Sequence, residues 1–146
     1  MGVVKSGFIL FSILSFNAFS QDIDSTTVIK FSIVDEIPIT QDCKPKWEKE
    51  KLRKCVMHSI NMHVNKKFNV GLAAEIGLSG RIKVTNTFTI DTEGNIVDIR
   101  ITSPNDRLNE EAIRVLKLLP KMTPGKQNGK LVQVEYEFPI IFNVQD

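Results

Sequence analysis

Leu52, Val56, Ile60, Val64 and Phe68 recur at every fourth position, and from Ile82 onward the apolar residues recur at every second position. The first spacing draws one apolar stripe along a helix of about 20 residues, because ~3.6 residues make a turn. The second turns one face of a strand toward a core. A chain that keeps the two periods in separate blocks folds as an α+β domain, with helices covering one side of an antiparallel sheet.

Asn69 and Gly71 end the first helix, and Leu72–Leu78 reads as a short extra turn closed by Gly77. Ile82, Val84, Phe88 and Ile90 then alternate with Lys83, Thr85, Thr87 and Thr89, leaving Asn86 as one polar gap on the apolar side. Asp91–Asn95 is a turn in which Gly94 suits a positive φ. Val97, Ile99 and Ile101 alternate with Asp98, Arg100 and Thr102, so the two blocks form a hairpin. Ser103-Pro104 stops the strand, and Asn105 or Asp106 offers a helix cap. Leu108, Ala112, Ile113, Val115, Leu116 and Leu119 mark one face of a second helix, ended by Pro120.

Residues 121–130 read as a loop, and Val132, Val134, Tyr136 and Phe138 alternate with Gln133, Glu135 and Glu137 in a last strand. The expected architecture is a three-stranded antiparallel sheet with two helices packed on one face, in the order α-β-β-α-β. The third strand is the expected edge, where Pro139 is tolerated because an edge need not donate every N–H.

Three segments are expected. Residues 1–20 have the layout of a secretory signal: Lys5, an apolar run Gly7–Phe16, and Ala18-Phe19-Ser20, with cleavage before Gln21. The apolar stretch Gly7–Phe19 makes only about 20 Å of helix, short of a hydrocarbon core of roughly 30 Å. Residues 21–45 form an extended arm in which Ile29, Phe31 and Ile33 alternate with Lys30, Ser32 and Val34 and suggest a short strand. Residues 46–146 form the domain proper. Export permits a Cys43–Cys55 disulfide, which would pin the arm to the first helix; the competing reading is two unpaired thiols, with Cys55 buried on that helix.

At 146 residues, 42% apolar and 25% charged, the chain fits one globular domain. Its net charge of +2 carries no strong basic field, so no nucleic-acid partner is expected. The basic run Lys44, Lys46, Lys49, Lys51, Arg53 and Lys54 reads as a solvated helix face diluted by Glu48 and Glu50; the alternative is contact with an anionic surface.

No motif amounts to an active site. Gly125–Lys130 superficially looks like a phosphate loop but is one residue short between its glycines and leads into a strand. Asp91, Glu93 and Asn95 lack the glycine position and the twelfth acid of a calcium loop. Gly77–Gly80 is not a nucleophile elbow, since Arg81 takes the final glycine position. His58 and His63 stand about 140° apart on a helix and do not share a metal. Cys55 with His58 lacks an orienting third group. No catalytic residue, metal or cofactor is expected, and Trp47 reads as a packing residue at the helix entry.

The run from Gly80 to Phe142 resembles the C-terminal domain of TonB-type energy transducers. The residues that carry the resemblance are Gly80–Val84, Phe88–Arg100 with Gly94, Ser103-Pro104, Leu108–Ile113, the Leu118–Lys130 stretch with Pro124-Gly125-Lys126 and Gly129-Lys130, and the closing strand to Phe142. Cys55–Leu78 is similar to an upstream helix of one subgroup. The resemblance implies a non-enzymatic periplasmic protein-binding module that pairs a short peptide of a TonB-dependent outer-membrane receptor, or another transport component, with its last strand. Carried over, the pairing residues are Leu131, Val132, Gln133, Val134, Glu135, Tyr136, Glu137 and Phe138. A membrane anchor and a long Pro-rich spacer, which full transducers have, are not expected in this chain. The competing expectation is a structural envelope protein that meets cell wall or anionic surfaces through its basic helix, and homodimerisation stays open.

Overall fold

The computed structural model describes Gly2 and residues 23–145; the expected leader and its cleavage point before Gln21 lie outside the described residues, Gly2 apart. The elements run β1 (Val28–Lys30), α1 (Lys49–Lys67), α2 (Gly71–Glu75), β2 (Gly80–Ile90), β3 (Ile96–Thr102), α3 (Asp106–Lys117), β4 (Gly125–Gln127) and β5 (Lys130–Val144).

The helices form where the apolar periods place them. Leu52, Val56, Ile60 and Val64 are the buried residues of α1, and Leu108, Ala112, Val115 and Leu116 those of α3. Asn105 caps α3 by accepting the Arg107 N–H at 2.8 Å, which satisfies one of the free donors of a helix start. The two helices are tied side to side: His63 Nε2 donates to the Val115 carbonyl at 2.9 Å, and Arg114 donates to the Lys67 carbonyl at 2.9 Å.

The sheet is mixed and five-stranded, which corrects the three-stranded antiparallel expectation. β2 pairs antiparallel with β3 and with β5, β4 forms a hairpin with β5, and β1 lies parallel along β5 through Val28↔Gln133, Ile29↔Val134 and Lys30↔Glu135. The two added strands have three residues each, too few for a period to show. The arm is drawn in because it buries Phe31, Val34 and Ile37 in the common core, at 5%, 0% and 3% exposure. Complete burial of such side chains stabilises by roughly 1.5–3 kcal/mol each. The Cys43–Cys55 disulfide, with its Cα atoms 5.9 Å apart, pins the end of the arm to α1.

Two details alter the expected alternation. β3 carries an extra residue at Asp98, whose φ is +49°, and its register with β2 slips between Thr87 and Thr89. The phase therefore changes: Ile96, Ile99 and Ile101 pack against the core, while Val97 is exposed. β5 continues through Pro139 to Val144. Asn86, the polar gap on β2, is fully buried; its Nδ2 donates to the carbonyls of Val84 at 3.0 Å and Phe138 at 3.3 Å, while its Oδ1 has no partner among the described residues.

Candidate partner-binding edge

Within a strand, the N–H and C=O of one residue point to the same side, and successive residues alternate. Gln133 donates to the Thr27 carbonyl at 3.0 Å, and the Glu135 carbonyl accepts from the Phe31 N–H at 2.8 Å. The odd-numbered residues of β5 thus turn their backbone groups away from β2, toward β1. Pro139 belongs to this odd set, so its missing N–H costs the β2 ladder nothing. That is the physical reason β5 runs through a proline.

β1 leaves this row early. After Lys30 the chain turns, with Ile33 and Val34 donating back to the Lys30 carbonyl. Arg53 of α1 donates to the Phe31 carbonyl, and its guanidinium lies 5.0 Å over the Phe31 ring. From Glu137 to Asn143 no strand runs along the outer side of β5 among the described residues. The row offers the N–H and C=O of Glu137, Ile141 and Asn143 and the C=O of Pro139. Such groups are a template for a further strand.

Beside the first part of this row lies a groove of about 630 Å³. Its far wall is Arg53, Met57 and Asn61, which share a side of α1 because they are spaced by four. Its near wall is Tyr136–Pro139, and Lys30–Ser32 also line it. Tyr136 is buried in an aromatic cluster, 4.9 Å from Phe31, 5.7 Å from Phe88 and 5.5 Å from Phe138 between ring centroids. Burial pushes the Tyr136 hydroxyl above its ordinary pKa, so it stays a neutral phenol. On the solvent side of the sheet, Arg100 reaches across β2 to Glu135 at 2.6 Å, and the Thr87 hydroxyl donates to Glu137 at 3.4 Å.

The residues expected to pair with a partner are therefore divided. Leu131 and Val132 pair with Lys126 and Gly125 of β4, and Gln133, Val134 and Glu135 lie beside β1. Tyr136 and Phe138 point their side chains into the core, and Glu137 opens the unpaired row. The expectation that the last strand is an edge along Leu131–Phe138 is corrected: β1 covers its middle, and the open tract is Glu137–Asn143. Pro139 in mid-strand was the sequence signal for that tract.

The basic run is partly committed to the domain itself. Besides Arg53, Lys51 sits 4.4 Å over the Trp47 ring and Lys54 faces Glu50 at 3.9 Å. The Asp91–Asn95 turn is closed by its own backbone, with Asp91 Oδ1 accepting from the N–H groups of Glu93 and Asn95. Among the described residues, no group of three or more His, Cys, Asp or Glu is placed to hold a metal ion.

No curated protein matches the sequence. Among solved structures, it is similar to the NMR solution structure of the Helicobacter pylori TonB C-terminal domain, at 23% identity over 62% of this chain and 81% of that one, with a TM-score of 0.45. The family model described as Gram-negative bacterial TonB protein C-terminal matches residues 72–144, half of the chain, which runs from α2 to the last residue of β5. The chain belongs to this TonB C-terminal family.

Proposed function

We propose that this chain is a non-enzymatic, periplasmic protein-binding module that takes an extended partner segment as an added strand along β5. The observation that carries the reading is the unpaired row from Glu137 to Asn143, with a groove between it and α1. An incoming strand satisfies those N–H and C=O groups, and its alternate side chains enter the groove against Met57 and Asn61. The family membership supports a protein partner from a transport system. The partner proposed is a peptide of a TonB-dependent outer-membrane receptor, met after removal of a leader ending near Gln21. Engagement of the earlier tract, Gln133–Glu135, requires β1 to give way. Among the described residues no helix is long and apolar enough to cross a membrane.

The test is a pair of substitutions at Ile141, whose N–H lies on the open side. Ile141→Pro deletes that donor without touching the β2 ladder, as Pro139 already does two residues earlier. Ile141→Thr keeps the donor. Titration with receptor-derived peptides is expected to show about tenfold weaker binding for the proline variant, the loss of one backbone hydrogen bond plus local mismatch, and little change for threonine. Equal binding by both folded variants would place the partner elsewhere, with the basic face of α1 as the next candidate.

A further inference from the structure

The opposite flank of α1 borders a second trench, of about 430 Å³, roughly 180° round the helix from the Arg53–Met57–Asn61 wall. The arm residues Thr40–Asp42 and the segment Leu119–Met122 after α3 complete its walls. Met62, Leu119 and Cys55, one half of the disulfide, supply apolar surface, and Met122 is buried beneath.

The charges around it are one-sided. Lys66 and Lys67 stand on α1, Lys121 stands across the trench, and His58 lies two turns up the helix. None of the three lysines has an ion-pair partner among the described residues. The single acid is Asp42, whose Oδ2 already accepts the Ser59 hydroxyl at 2.9 Å. Complementarity to the C-terminal helix dipole accounts for cations at Lys66 and Lys67, but not for Lys121 on the other wall.

The geometry points to a docking trench for an acidic, extended peptide of a partner protein, with an apolar side chain between its carboxylates. A compact anion needs donors that converge on one point. From His58 to Lys66 the wall instead runs about 12 Å, the length of roughly four residues of extended chain at ~3.4 Å each. A flat anionic surface meets the lysines but leaves the apolar floor uncovered. The trench is independent of the strand-adding edge, since α1 separates the two.

The probe is a nine-residue peptide of alternating Glu and Asp with one central Leu, titrated into isotope-labelled protein and followed by amide shifts. A peptide with Lys in place of the acids is the control. The acidic peptide is expected to move the amides of Gln41, Ser59, Met62 and Lys121, and the lysine peptide to leave them in place. Lys66→Glu with Lys121→Glu is expected to weaken binding about tenfold, and Lys66→Gln with Lys121→Gln less, because exposed charge pairs contribute modestly and are screened by salt. Ile141→Pro is expected to leave this binding unchanged, which separates failure here from failure of the strand reading. Equal binding of both peptides, unchanged affinity in the folded lysine variants, or shifts confined to Glu137–Asn143 would overturn the proposal. So would binding to phosphatidylglycerol vesicles with none to the peptide.

Discussion

The Phe31 carbonyl accepts a hydrogen bond from Arg53 at the residue where β1 turns away from β5, so α1 holds the point at which the edge becomes open. A charge-assisted bond of this kind contributes about 1.5–3 kcal/mol, and the guanidinium over the Phe31 ring adds to it. Arg53→Ala is expected to lower stability by about 2 kcal/mol and to reduce hydrogen-exchange protection at the Phe31 and Gln133 amides. Urea denaturation and exchange measure the two. Protection that survives would show that burial of Val34 and Ile37 holds the arm without help.

Reduction of Cys43–Cys55 opens a loop whose ends are 12 residues apart in sequence. In the chain-entropy picture this costs roughly 3 kcal/mol, through a freer unfolded chain. The domain is expected to remain folded, since Phe31, Val34 and Ile37 stay in the core, with faster exchange confined to Thr40–Asp42. Denaturation of the double Cys→Ser variant beside the oxidised protein gives the difference; a variant that unfolds outright at neutral pH would mean the arm cannot dock untethered.

Glu111 is held below the usual carboxylate pKa, first by its hydrogen bonds from Arg114 and next by the Asn69 N–H, against the opposing effect of burial. A carboxylate whose folded value is depressed adds stability that is present above its unfolded pKa and is lost as pH falls through the folded one. Stability is therefore expected to decline on acidification below the ordinary pKa of a glutamate in the unfolded chain, and Glu111→Gln to flatten that decline. Urea midpoints between about pH 6 and about pH 3 measure the slopes. Parallel slopes in the two proteins would assign acid sensitivity to other carboxylates.

Gly94 has φ +87°, and a Cβ there would stand 1.7 Å from the Met122 carbonyl oxygen. The Met122 N–H donates to the Gly94 carbonyl at 2.9 Å, so the β2–β3 turn and the chain after α3 are in backbone contact. Gly94→Ala must move backbone as well as adopt a strained φ, and is expected to cost about 3 kcal/mol or more. A thermal melt shifted by less than a few degrees would show that this contact yields easily.

The parts of the fold legible in the sequence are those where a period persists: α1, α3 and β2, with Asn105 as cap and Gly94 in the turn. β4 fell inside what read as a loop, although Asn128-Gly129, both at positive φ, is a two-residue hairpin signal. β1 could be suspected from Ile29 and Phe31, but its parallel partner is chosen by burial of Phe31, Val34 and Ile37, which no local pattern encodes. The candidate site was legible to the level of the strand. Which of its residues stay open depends on where β1 departs, a tertiary event set by Arg53 and the turn after Lys30. Val97 misled because one added residue at Asp98 inverts the alternation before it.

That added residue has a bearing on the far side of the sheet. β3 is the opposite border, and a strand that is bulged and more strongly twisted presents its donors and acceptors out of line to any straight neighbour. Uncontrolled stacking of one molecule on the next through that border is thereby discouraged. The sheet is left with unequal margins: one ill-suited to further growth, and one, along Glu137–Asn143, whose backbone groups lie in line and unpaired by any other strand among the described residues.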